Sequence, residues 1–81
     1  MRLFNYEDYY ADNSQTVIQR MAEDERILNV VVGNINDKTD HGSREVFVIM
    51  QCTLLSSMLE TMSNHNIPIS SYMEVYNNDN G

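Results

Sequence analysis

Asp24-Glu25-Arg26-Ile27-Leu28-Asn29-Val30-Val31-Val32-Gly33-Asn34-Ile35 is the stretch on which the fold turns. At the helical period, Leu28, Val31, Val32 and Ile35 fall with Val17 and Met21 in one stripe about 100° wide. That reading makes one amphipathic helix of the segment from Ser14 to Ile35, with Asp12 or Ser14 as its N-cap. The rival reading is a strand over Ile27–Val32, because three successive valines suit a pleated sheet. Gly33 weakens or kinks the helix at its end. The helix accounts for more of the apolar positions and is the expectation carried forward. Asp24 interrupts the stripe, and a carboxylate buried there needs a partner such as Arg20 or Arg44. A lone polar residue in a helical seam is also a way to set register and oligomer state.

Beyond this stretch, Asn36 to Gly42 reads as a turn. Ser43 then caps a second helix, with Glu45 in its first turn where it complements the macrodipole. Phe47, Met50, Leu54, Leu55, Met58 and Met62 line one side of that helix. Val48, Cys52 and Leu59 widen its apolar face to about 200°, against the stripe of about 100° that a surface helix needs. Such a helix packs on two sides, so Phe47, Met50, Leu54, Leu55, Met58 and Met62 form the expected oligomer interface. Ser63 to Asn66 end it and Pro68 prevents simple continuation. Ser70 to Tyr76 reads either as a short helix, with the capping pattern Ser71-x-x-Glu74, or as an extended segment. The first dozen residues carry Leu3, Phe4, Tyr6, Tyr9 and Tyr10 among acids, which suits a short helix or an extended arm. The fold expected is therefore all-α: a small helical hairpin or three-helix domain over residues 1–76, with two long amphipathic helices and short terminal elements. It is expected as an intertwined or packed homodimer with a disordered tail at 77–81.

Size and charge narrow the function. The chain has 81 residues and a single cysteine, Cys52, so no internal disulfide supports a small core, and oligomerisation is the remaining device. Twelve acidic residues against five basic ones give a formal net charge of −7. Arg2, Arg20, Arg26, Lys38 and Arg44 are too scattered for a basic stripe, which disfavours direct nucleic-acid binding. A protein partner with a basic surface suits the acid excess. The N-terminus lacks the apolar region of a signal peptide, and Val46 to Met50 is the longest apolar run. A cytoplasmic protein without membrane association is expected, as the lone cysteine also suggests.

Catalytic constellations are weak. His41 sits in a turn and His65 at a helix end, where histidine complements the dipole. Cys52 lies within an apolar segment and behaves there as a small hydrophobe. Glu23, Asp24 and Glu25 splay around a helix instead of converging. Glycine is too sparse for a phosphate loop. No catalytic residue, cofactor or metal ligand is expected. Tyrosine is favoured at interfaces for its broad ring and polar tip, and Tyr9, Tyr10, Glu23, Asp24 and Arg44 are the expected partner contacts.

Tyr9-Tyr10, Glu25-x-x-Leu28, Val31-Val32, Ile35, Ser43-Arg44, Leu59-Glu60 and Tyr72 together give the chain a pattern that resembles the small enterobacterial YmgB/AriR family of biofilm and acid-resistance regulators. Asn29, Glu45, Gln51 and Pro68 depart from that pattern. The resemblance implies an all-helical homodimer that regulates by contacting signalling or transcription proteins, without an active site. The leading expectation is thus a non-enzymatic regulatory adaptor of biofilm or stress signalling. Two alternatives stand beside it. One is a phage-type acidic inhibitor that occupies the nucleic-acid-binding face of a host or defence protein. The other is an oligomer that sequesters a small nucleotide, with Arg44 and Tyr9 or Tyr10 lining its subunit interfaces.

Overall fold

The computed structural model describes residues 1–77, with side chains through Tyr72, and overturns the all-helical expectation. Four strands, β1 (Arg2–Asp8), β2 (Ile27–Val32), β3 (Arg44–Met50) and β4 (Tyr72–Asn77), form one antiparallel sheet in the order β2-β3-β1-β4. Helix α1 (Gln15–Ala22) joins β1 to β2, and α2 (Leu55–Asn64) with a short 3-10 turn joins β3 to β4. This is the split βαβ arrangement of an α+β domain.

Tertiary pairing overrides the helical periodicity at both misread places. Helix α1 keeps Val17, Ile18 and Met21 on the core but stops where Asp24 Oδ1 accepts the Arg26 backbone N–H at 2.9 Å. That local turn competes with helix continuation, and Ile27–Val32 emerges as a strand. The long second helix is likewise two elements. Arg44, Val46, Val48 and Met50 point to one face and Glu45, Phe47 and Ile49 to the other, a period of two that is hidden because both faces are apolar. The expected terminal arm is also a strand, β1, and it lies at the centre of the sheet. For Ser70–Tyr76 the extended alternative is the one adopted from Tyr72 onward. Of the expected tail, residues 78–81 lie outside the described residues.

Phe4, Tyr6, Met21, Ile27, Val46, Val48, Met50, Met58, Met62 and Ile67 form the core between the sheet and the helices, with Tyr72 stacked on Phe4 at a 4.9 Å centroid separation. Among the described residues no helix covers the opposite sheet face. There Leu3, Phe47 and Ile49 are half-buried and Val31 is exposed. Helix α2 ends in a Schellman motif: Ile67 N–H donates to Met62 O at 3.0 Å and Asn66 N–H to Ser63 O at 2.9 Å. Asn66 supplies the left-handed residue, φ 63°, which asparagine tolerates. Met62 and Ile67 then meet in the core, completing the motif's apolar contact. Among the described residues no helix is long and apolar enough to cross a membrane.

Candidate functional site

The β1–α1 and β2–β3 connections meet at one end of the sheet. Ala11 N–H donates to Gly42 O at 3.3 Å and Asp12 N–H to His41 O at 3.0 Å. The β2–β3 loop reaches that position because its ladder extends to a bridge between Asn36 and Ser43 before turning at Asp37–Gly42. Gly42 takes φ 72° there, a conformation glycine adopts without the Cβ penalty.

A buried polar trio anchors the other connection. Asp8 Oδ2 accepts the Ser14 hydroxyl at 2.5 Å and Arg44 Nε at 3.3 Å, while Arg44 Nη2 donates to Ser14 Oγ at 2.8 Å. Asp8 Oδ1 accepts the Tyr10 backbone N–H at 3.1 Å. The carboxylate thus holds the chain reversal from both sides and turns two tyrosines outward, Tyr9 62% and Tyr10 57% exposed. Tyr10 rests against the His41 ring at 4.9 Å, and His41 Nδ1 lies 3.1 Å from Asp12 Oδ2.

Two open recesses of about 260 Å³ each flank Tyr10 and His41. The first is lined by Asp12, Asp37, Asp40 and His41 beside Ile35. The second is lined by Tyr9, Tyr10, Ile67 and Pro68, with Glu7 at its margin. The geometry supplies aromatic faces next to carboxylates, a combination that attracts Lys and Arg through charge and cation–π contact. Sequence reasoning found the two tyrosines but not Asp12, Asp37 and Asp40, whose approach depends on two connections far apart in the chain.

The expected partner contacts divide. Tyr9 and Tyr10 stand at this end. Arg44 is there too, but buried against Asp8 and Ser14. Glu23 and Asp24 belong to the α1–β2 turn instead. Asp24 pairs with neither Arg20 nor Arg44: Arg26 holds it at 2.9 and 3.1 Å, and His65 Nε2 reaches it at 2.7 Å. Of the expected oligomer contacts, Met50, Met58 and Met62 are enclosed in the core, Phe47 faces the helix-free side of the sheet, and Leu54 and Leu55 are exposed.

A larger recess of about 390 Å³ is lined by Met1, Leu28, Cys52, Leu54 and neighbouring polar residues, without an acidic or basic side chain. Burial pushes the Cys52 thiol up from its ordinary value, which disfavours the thiolate a nucleophile requires. Among the described residues no three His, Cys, Asp or Glu side chains are grouped to hold a metal ion. No family model, curated protein or solved structure matches the chain.

Proposed function

We propose that the chain is a non-catalytic binding protein whose acidic and aromatic end docks a basic segment of another protein. The observation that carries this reading is the anchored pair Tyr9-Tyr10 set among Glu7, Asp12, Asp37 and Asp40. Aromatic anchors on a fixed turn lose little entropy on binding and so favour recognition. Arg44 is already spent on Asp8 and Ser14, and so does not neutralise the carboxylates of the loop. The same spent guanidinium weighs against the nucleotide-sequestering alternative, which relies on Arg44.

The test is calorimetric titration with Lys/Arg-rich, neutral and acidic peptides of equal length, at low and moderate salt. The basic peptide alone should bind, more weakly as salt rises, and Tyr10→Ala or the pair Asp37→Asn/Asp40→Asn should reduce affinity at least tenfold with the fold intact. Equal binding of all three peptides, or affinity indifferent to those variants, overturns the reading. Competition by nucleic acid for a captured partner would favour the inhibitor mode over the adaptor mode.

A further inference from the structure

We propose that the recess beside Tyr9 and Tyr10 is a lysine-binding pocket, in which the ammonium of a partner's lysine donates to the Tyr6 phenol oxygen. This inference rests on the basic-partner reading and narrows it. One lysine of the docking segment is the anchor, and arginine does not replace it.

The recess has a buried floor and an exposed rim. Tyr6, only 5% exposed, and buried Ile67 form the floor, while Tyr9, Tyr10 and Pro68 stand exposed around it. The Tyr6 ring is packed in the core beside Phe4, at a 5.9 Å centroid separation. Among the described residues its hydroxyl has no hydrogen-bond partner, whereas every fully enclosed side-chain polar atom has one. The phenol oxygen is therefore not sealed in, and the surface that Tyr6 lines is this recess. A volume of about 260 Å³ is below the range of roughly 300–1,000 Å³ that takes whole small molecules. It suits a single side chain.

The lining chemistry selects which one. Burial, and then the negative charge of Asp8, keep the phenol protonated, and that same charge repels an anionic guest. An apolar guest would leave the hydroxyl without a partner, which is costly once water is displaced. Arginine needs a carboxylate edge for its planar fork. Asp8 cannot offer one, because Oδ2 already accepts Ser14 and Arg44 and Oδ1 accepts the Tyr10 N–H. Lysine meets every condition. Its four-carbon stem lies along Ile67 and Pro68, and the tyrosine rings attract the cation. Its compact ammonium needs only single acceptors. Ser71, whose hydroxyl already donates to Pro68 O at 2.8 Å, keeps lone pairs for a second such bond.

NMR titration with the blocked amides of lysine, arginine and norleucine tests the proposal, read at the Ile67 methyls. The lysine amide should shift them with an affinity about tenfold above that of the other two. Tyr6→Phe removes one oxygen from an unpartnered position, so the fold should persist while lysine and norleucine become equal. Tyr9→Ala, at the exposed rim, should weaken the lysine amide with the core unchanged. Equal shifts by all three amides, or a lysine preference that survives Tyr6→Phe, overturns the pocket. Lys-rich and Arg-rich peptides separate this inference from the one beneath it. Basic peptides that bind without preferring lysine overturn the lysine pocket alone. A protein that takes the lysine amide but ignores every basic peptide upholds the pocket and overturns the docking reading.

Discussion

His65 Nε2 and Asp24 Oδ2 share a hydrogen bond of 2.7 Å that ties the end of α2 to the turn between α1 and β2. Arg26 completes the clasp from the other side of the carboxylate. The carboxylate that interrupts an apolar pattern is therefore a polar link between two elements far apart in sequence.

Replacing Asp24 with Leu should accordingly destabilise the fold, by roughly 1–3 kcal/mol, because the donors of Arg26 and His65 lose their acceptor. Chemical denaturation at neutral pH checks the magnitude. The side-chain hydrogen bond from Arg26, aided by His65, holds the Asp24 carboxyl well below the usual carboxylate range. A depressed carboxyl contributes stability above its unfolded value of about 4 and loses it as pH falls below that point. Asp24→Asn should flatten the acid limb of the stability profile below about pH 4. An unchanged acid limb would remove Asp24 as its source.

At the acidic end, Arg44→Ala should cost roughly 3–5 kcal/mol, since it strands Asp8 as an uncompensated buried carboxylate. The joint variant Asp8→Ala/Arg44→Ala should cost clearly less than the two single losses added together. Ser14→Ala, which removes one shared hydroxyl, should cost about 1 kcal/mol. Thermal and urea unfolding of the wild type, Asp8→Ala, Arg44→Ala and the joint variant would form the cycle, and strict additivity would dissolve the Asp8–Arg44 pair as a coupled unit.

Tyr6 should ionise late in an alkaline absorbance titration. Burial, and then the negative charge of Asp8, raise its phenol above the ordinary value. A raised phenol contributes stability below its unfolded value of about 10 and loses it as pH rises beyond. Tyr6→Phe should remove the late ionisation step and leave the protein more resistant to base. A Phe variant with the same alkaline unfolding would refute this.

Gly42→Ala should destabilise by about 1–2 kcal/mol, the cost of a left-handed conformation for an L-residue. The new methyl would also stand 3.1 Å from Ile35 Cγ2. Because Gly42 O accepts from Ala11 N–H, the same variant should loosen the seam between the two connections. Faster amide exchange at Ala11 and Asp12 would report it.

What the chain discloses by itself is local. Helix α1 begins after Ser14 as its capping chemistry suggests, although the Ser14 hydroxyl is turned to Asp8. The termination of α2 at Asn64 to Asn66 is written in its asparagines, and Tyr9 and Tyr10 are recognisable as outward groups. What cannot be read locally is pairing. Phe47, Met50, Leu54, Met58 and Met62 satisfy a helical repeat by coincidence. Residues 44–50 are held as a strand by β1 and β2 on either side. The same limit hides the candidate site, since Asp12 meets Asp37, Asp40 and His41 only after β3 has fallen in beside β1.

The central place of β1 governs the order in which the molecule can be assembled. Within this sheet β1 is translated ahead of both strands it needs as neighbours, β3 and β4. Its apolar residues must wait for both, and closure over such sequence separations slows folding. The growing chain therefore carries β1 with its β4 side open until Tyr72–Asn77 have been made. During that interval, anything that binds extended apolar segments competes directly with the native sheet.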